Sequence, residues 1–160
     1  MELSLTLAQL QTIVVAGLAL WMTLAVYNNI VDSGTNRALL GKVTSMQELK
    51  EDPVLGKGLI GRAVDNPAYP RAILNVVIVV QLVVVALLWR ATWLLAFNAP
   101  SPAALGAANL ALGAFIALWF WFLIGGLFYG YWMEMPQVQQ VHLTLVIVAI
   151  LAMLLVNLPR

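Results

Sequence analysis

The stretch "RAILNVVIVVQLVVVALLWRATWLLAF", residues 71 to 97, decides the fold of this chain. Its only charged side chains are Arg71 and Arg90, nineteen positions apart. Nineteen residues of α-helix measure about 28 Å, close to the thickness of about 30 Å of a bilayer's hydrocarbon core. Each arginine can therefore reach one headgroup layer, and Trp89 and Trp93 add an aromatic anchor at the Arg90 end. The stretch predicts a transmembrane helix.

Three further apolar runs have comparable length. Backbone groups in lipid must be hydrogen-bonded within their own segment, so each run is expected to be helical. "NAPSPAA" (98–104) and Pro136 in "YWMEMPQVQQ" separate the runs, since proline and clustered small polar residues favour turns. The first run has no Lys or Arg before it and is interpreted as a retained helix rather than a cleaved signal peptide. We predict an all-α integral membrane four-helix bundle, a single domain over 1–160 with spans at about 6–28, 71–97, 103–129 and 139–158.

Composition supports this class. The chain is 62% hydrophobic and 9% charged, whereas soluble domains average about 45–50% and 25%. The lipid bilayer is the first expected partner. A net charge of +1 does not favour nucleic acid binding. Cysteine is absent, which excludes disulfides, thiolate metal sites and cysteine nucleophiles.

Residues 30 to 70 are the most charged part of the chain. Six of the eight basic residues fall there or at its edge: Arg37, Lys42, Lys50, Lys57, Arg62 and Arg71. "SMQE" has the spacing of a capping box, which predicts a short helix starting at Ser45 and ending before Pro53. We expect a partly helical extramembrane connection of about forty residues, folded on the membrane surface or docked on another subunit. The positive-inside rule favours a cytoplasmic location for it.

The block "YNNIVDSGTN" (27–36) ends the first run. Asn and Asp side chains satisfy terminal backbone groups, and "DSG" favours a turn. Asn28, Asn29, Asp32 and Asn36 are therefore predicted to be structural or partner-interface residues. They would fix how the connection leaves the membrane.

Polar side chains inside the predicted spans have two interpretations. Asn75, Gln81 and Asn109 could line the path of a channel or carrier, or form interhelical hydrogen bonds. No Asp, Glu, Lys or Arg lies at mid-membrane in any span. Because coupled transporters generally carry such charges, active transport is disfavoured.

Metal and nucleotide sites find little support. His142 is the only histidine, and Met133 and Met135 precede it. These three are the candidates for a copper(I) site, because thioether and imidazole groups suit that ion, although an interfacial histidine is the simpler explanation. "GKGLIG" (56–61) has the dinucleotide-binding glycine pattern but leads into a membrane helix instead of following a strand. We predict no catalytic residue, no resident cofactor and no metal.

Small residues recur in the third span. Gly106, Gly113 and Ala117 have helical spacing, and Gly126 and Gly130 form a G-x-x-x-G pattern that allows helices to approach closely. Gly125, Gly126, Gly130 and Trp132 are predicted interface residues. Bulky aromatics surround these glycines in "LWFWFLIGGLFYGYW" (118–132), where a partner helix, a lipid tail or an isoprenoid could stack; plain lipid exposure is the alternative.

Two blocks resemble a family of uncharacterised bacterial proteins, the predicted small integral membrane proteins. "NNIVDSGTNRALLGKVTSM" (28–46), continued by "GRA" (61–63), is similar to that family's Asn-Asn-Ile-x-Asp, Asn and Val-x-Ser-Met elements. "WFLIGGLFYGYW" (121–132) is similar to its Trp-Phe, Ile-Gly-Gly and Trp block. The chain has Leu127 where the family often has an acidic residue, and Gly41 or Lys42 where the family has a histidine. The resemblance implies four spans in a bacterial cytoplasmic membrane and no established activity. It also implies that the connection lies outside the cytoplasm, against the charge count.

These observations favour a non-catalytic accessory subunit of a larger bacterial membrane complex of respiratory, photosynthetic or oxygenase type. Its partners would be other membrane subunits, contacted through glycine- and aromatic-rich helix faces. A small homo-oligomeric channel or carrier is the alternative, followed by a metal-binding membrane protein.

Overall fold

A computed structural model describes residues 2–98 and 101–159, and the side chains from residue 6 onward within those ranges. The described chain contains helices and no strand. The helices are α1 (Glu2–Val31), α2 (Ser33–Ser45), α3 (Gln47–Glu51), α4 (Ala68–Asn98), α5 (Pro102–Phe128), α6 (Tyr131–Glu134) and α7 (Pro136–Val156), with one 3-10 turn at Ile60–Arg62. The all-α prediction is confirmed.

Four of these helices are long and apolar enough to cross a membrane. They cover Thr6–Val31, Ala68–Asn98, Pro102–Phe128 and Pro136–Val156. Each predicted span lies on one of them, and the ends differ by three residues or fewer. The ends follow local chemistry: at α5, for example, the Ser101 hydroxyl accepts from the Ala104 N–H at 3.1 Å and Pro102 occupies the first turn.

The four spans pack in the order α1, α4, α5, α7, and contacts between α1 and α7 close the bundle. Four alanines on α5, namely Ala104, Ala107, Ala108 and Ala111, are buried in the core. Their small side chains let the neighbouring helices approach closely, as is usual in membranes. Large apolar side chains such as Ile13, Val79, Ile124 and Leu154 are instead exposed on the outer surface. Apolar side chains thus fill the core of the bundle and also cover its outer surface, as expected for a protein surrounded by lipid.

The predicted connection of about forty residues is not supported in that form. Helix α1 continues to Val31, and a single residue separates it from α2. Asp32 lies between them and its carboxylate accepts from the Thr35 N–H at 3.3 Å. A side chain that favours a turn is also a good helix N-cap, so the chain starts a new helix at once.

The predicted capping role of Ser45 is wrong. Ser45 is the last residue of α2, and its hydroxyl donates to the Lys42 carbonyl at 3.3 Å. Met46 adopts a left-handed conformation with φ 52° and separates α2 from α3. Because Ser45 has helical geometry, its side chain is not placed to cap the next helix. The short helix itself, Gln47–Glu51, does end before Pro53 as predicted.

We call α2, α3 and the 3-10 turn together the short-helix layer. Met46 and Leu49 are buried with Tyr129, which directly follows α5, in a small apolar cluster. Arg62 donates to the Phe128 carbonyl at 3.0 Å, and its guanidinium lies 5.0 Å from the centre of the Phe128 ring. These contacts fasten the layer to the C-terminal end of α5.

Candidate functional site

A chain of amide side chains joins α1, α2 and α4. Asn29 Nδ2 donates to Gln81 Oε1 at 2.7 Å, and Asn36 Nδ2 donates to Asn29 Oδ1 at 2.8 Å. Gln81 is buried at 3% exposure, so Asn29 supplies the partner that a buried amide needs. Two residues of the block 27–36 and one of the polar span residues thus form a single network. It holds the start of α2 against the bundle.

A cavity of about 380 Å³ lies next to this network, between α2 and α4 on one side and α5, α6 and α7 on the other. Helix α2 packs chiefly on α4, which leaves this gap towards α5 and α7. The lining residues from the first half of the chain are Asn29, Asn36, Leu39, Leu40, Val43, Thr44, Tyr69, Ile73, Leu74 and Val77. Those from the second half are Trp121, Phe122, Gly125, Gly126, Tyr129, Tyr131, Met135, Val138 and His142.

Adjacent glycines on α5 have different roles at this cavity. A Cβ added to Gly126 would lie 2.6 Å from Tyr131 Cζ and collide with other atoms of the same ring. A Cβ added to Gly125 would meet nothing within 4 Å. Gly126 therefore permits the close approach of Tyr131, whereas Gly125 leaves part of the cavity open.

Two tyrosines bring their hydroxyls together at the wall of the cavity. The hydroxyl oxygens of Tyr69 and Tyr129 are 3.1 Å apart, although the residues are sixty positions apart in sequence. Burial and the bond to Tyr69 together raise the pKa of Tyr129 to about 12. The Tyr129 hydroxyl therefore keeps its proton at neutral pH and can donate a hydrogen bond.

His142 lies among aromatic rings. Its ring centre is 5.3 Å from that of Trp119, 5.2 Å from Phe122 and 6.1 Å from Tyr131. The Tyr131 hydroxyl is 3.5 Å from Nδ1 of His142, at the long limit for a hydrogen bond. Burial raises the pKa of Tyr131 to about 12, so this hydroxyl also keeps its proton.

Only two of the three candidates for copper(I) line the cavity. Met135 and His142 both line the cavity. Met133 instead packs with the small cluster under the short-helix layer, and its Cε would lie 2.8 Å from a Cβ added to Gly130. Among the described residues, no three His, Cys, Asp or Glu side chains converge as they would around a metal ion.

The three candidates for a channel path are also separate. Gln81 faces Asn29 within the bundle. Asn109 exchanges hydrogen bonds of 3.1 and 2.7 Å with Asn157 at the opposite end of the bundle. Asn75 is exposed on the outer face of α4. The structure thus places them in three different environments.

The remaining predicted interface residues lie around the short-helix layer. Asn28 is exposed at the end of α1, and Trp132 is 47% exposed on α6. Gly130 precedes α6 with φ 70°, a left-handed conformation that favours glycine. A partner role for these residues remains a prediction.

The sequence does not indicate the structural roles of two polar residues, Gln11 and Glu134. Gln11 is fully buried and donates to the carbonyls of Leu155 and Val156 at 3.0 and 3.3 Å, which satisfies the last turn of α7. Glu134 has both carboxylate oxygens shielded from solvent, with no hydrogen-bond partner among the described residues. Burial raises the pKa of Glu134, while the nearby backbone N–H of Leu49 lowers it in part and the charge of Glu48 raises it further. Neither role could be deduced from neighbours in sequence.

The comparison with protein families gives one finding. The family model described as "Predicted small integral membrane protein (DUF2165)" matches residues 7–159. The chain therefore belongs to this family, and the resemblance carried by the blocks at 28–46 and 121–132 is confirmed. Searches of curated proteins and of solved structures gave no match.

Proposed function

From this membership, we propose that the chain is a non-catalytic accessory subunit of a larger membrane protein complex. The observation that carries the proposal is the composition of the outward face of α5. Large apolar side chains cover the outward face of a helix that meets only lipid, whereas small ones allow another helix to approach closely.

The small residues of α5 lie on both of its sides. The alanines at 104, 107, 108 and 111 are inside the bundle. Ala103, Gly106 and Ala117 are exposed, and a Cβ added to Gly106 would meet nothing within 4 Å. Packing within the chain therefore does not account for the glycine at 106, and a helix of another subunit does.

Asn75 gives independent support. It is an exposed amide on the outer face of α4, only four residues beyond Arg71. An amide that faces hydrocarbon is costly unless it is hydrogen-bonded. A polar group on a neighbouring subunit would satisfy it.

The test is extraction of the tagged chain from its native membrane in mild detergent, followed by native mass spectrometry. We expect different subunits to accompany the chain, and Gly106→Leu to reduce their recovery at least tenfold. Ile13→Phe is the control, because Ile13 is already a large apolar side chain that is 67% exposed on the outer surface of α1. Recovery of nothing but copies of the chain would contradict the proposal and favour the homo-oligomeric alternative.

We further propose that the protein lies in the cytoplasmic membrane of a bacterium with the short-helix layer outside the hydrocarbon core. The basic residues at 37–62 support a cytoplasmic location for this layer. Because the chain has no cysteine, a single Lys57→Cys substitution would report the side directly. An impermeant maleimide should not label this variant in intact cells. Labelling would contradict the proposed orientation, because it would place the short-helix layer outside the cytoplasm.

A further inference from the structure

The cavity between α2 and α5–α7 is built from parts of the chain that are far apart in sequence. Asn29 and Asn36 come from the first family block, and Gly125 and Gly126 come from the second, about ninety residues later. The two most distinctive segments of the sequence therefore meet at one hollow. Packing of the bundle alone does not require a hollow there, since the same helices are close-packed elsewhere.

The lining carries no formal charge. None of its nineteen residues is Asp, Glu, Lys or Arg. A charged head placed in this cavity would lose its hydration without gaining a counter-ion, which is strongly unfavourable. The lining therefore favours a neutral occupant.

The rings of the lining indicate the shape of the occupant. Tyr69, Trp121, Phe122, Tyr129, Tyr131 and His142 all border the cavity. Aromatic side chains favour stacked or edge-on contacts with another flat ring. Leucine, isoleucine and valine side chains from α2 and α4 form the opposite wall, which suits an aliphatic tail.

The polar atoms of the lining indicate the chemistry of the head. The hydroxyls of Tyr69 and Tyr129 share one hydrogen bond, which uses one of their two protons. The other proton has no acceptor among the described residues and can be donated to a ligand. A carbonyl oxygen is the complementary group.

We propose that this cavity binds a neutral lipid whose head is a flat, carbonyl-bearing ring of the quinone type and whose tail is apolar. Its volume of about 380 Å³ lies within the range of about 300–1,000 Å³ that is typical of small-molecule pockets. It accommodates the ring and the first part of the tail. The proposal goes beyond the accessory-subunit role and does not depend on it.

Decylubiquinone, a neutral quinone with a ten-carbon tail, is the probe. Purified chain in detergent is titrated with it, and native mass spectrometry measures the bound fraction. Decanoic acid and decanol are titrated in parallel, because they share the tail length but carry a charged head or lack the ring. We expect a one-to-one adduct with decylubiquinone and at least tenfold weaker binding of the other two.

Gly125→Leu is the blocking variant, because its side chain enters the cavity without meeting an atom within 4 Å of its Cβ. It should weaken decylubiquinone binding at least tenfold. The control Gly17→Leu should leave binding unchanged, because Gly17 lies on α1 and does not line the cavity. The double variant Tyr69→Phe/Tyr129→Phe should weaken binding about three- to tenfold, as expected for the loss of one hydrogen bond. This second variant keeps the cavity open and tests the head contact separately.

Three results would overturn the proposal. In the first, Gly125→Leu and Gly17→Leu bind decylubiquinone equally well. In the second, decanoic acid or decanol binds as tightly as decylubiquinone. In the third, the chain carries an ordinary phospholipid that decylubiquinone does not displace. None of them bears on the accessory-subunit proposal, since Gly106 does not line the cavity.

Discussion

Adjacent glycines in α5 provide a sharp test of the packing at the cavity. Gly126→Ala places a methyl group 2.6 Å from Tyr131 Cζ. Carbon atoms in contact normally lie about 3.5–4.0 Å apart, so the ring must retreat by roughly 1 Å. Tyr131 is only 3% exposed, and the His142 ring is stacked 6.1 Å away. The ring must therefore give up part of its contact with His142 and move into the cavity that both residues line.

The expected cost follows from these distances. An extra methyl group forced into an existing close contact typically destabilises a protein by about 1–3 kcal/mol. Gly125→Ala meets nothing within 4 Å and gains up to about 1 kcal/mol from the better helix propensity of alanine. Because both glycines lie in α5, this gain is common to the two variants, and their stabilities should differ by the overpacking cost of about 1–3 kcal/mol.

The assay is reversible unfolding in mixed micelles with an increasing fraction of dodecyl sulfate, followed by circular dichroism. In a Tyr131→Ala background, Gly126→Ala should become as harmless as Gly125→Ala. Stabilities of the two single variants that agree within about 0.5 kcal/mol, the usual scatter of neutral substitutions, would refute the packing described for Gly126 and Tyr131.

Three further predictions concern the amide network, the short-helix layer and the start of α2. A double-mutant cycle of Asn29→Ala and Gln81→Leu, measured by the same unfolding assay, should give a coupling free energy of about 0.6–1.7 kcal/mol. Additive effects of the two substitutions would show that these side chains do not stabilise each other. Burial raises the pKa of Glu134 above its ordinary 4.5, so the folded state holds this proton more tightly than the unfolded state. The free energy of unfolding should therefore fall as pH rises from about 4.5 through the raised pKa. Glu134→Gln should flatten that pH dependence, and an unchanged slope would show that Glu134 does not cause it. Asp32→Ala should destabilise the start of α2 by about 1 kcal/mol and expose it to limited proteolysis, whereas Asp32→Asn keeps a side chain that can cap the helix. Identical cleavage of the two variants would argue against the capping role of Asp32.

The spans could be predicted because membrane insertion depends on the length and polarity of a continuous segment. The run between Arg71 and Phe97 carries that information locally, so α4 was placed within three residues at its start and one at its end. The family likewise could be identified from two contiguous blocks. Such features need no knowledge of which helices touch.

The short helices and the cavity could not be predicted, because they depend on contacts between distant residues. The sequence indicates a turn at Asp32, and only the bond of its carboxylate to the Thr35 N–H shows that it caps α2. Tyr69 and Tyr129 form a pair across sixty positions, and nothing near either residue indicates the other. Gly125 and Gly126 look equivalent in sequence, but the position of Tyr131 separates their roles.

The outward face of α5 and the uncharged cavity are distinct surfaces, since Gly106 does not line the cavity and Gly125 does. Each can be altered by one glycine-to-leucine substitution that meets no atom within 4 Å. The two roles can therefore be separated experimentally.

Native mass spectrometry of the chain extracted from its own membrane tests the central claim most directly. We expect an assembly that contains different subunits, is lost in Gly106→Leu and is kept in Gly125→Leu. An assembly made only of copies of this chain, or a full complement of partners in Gly106→Leu, would contradict it.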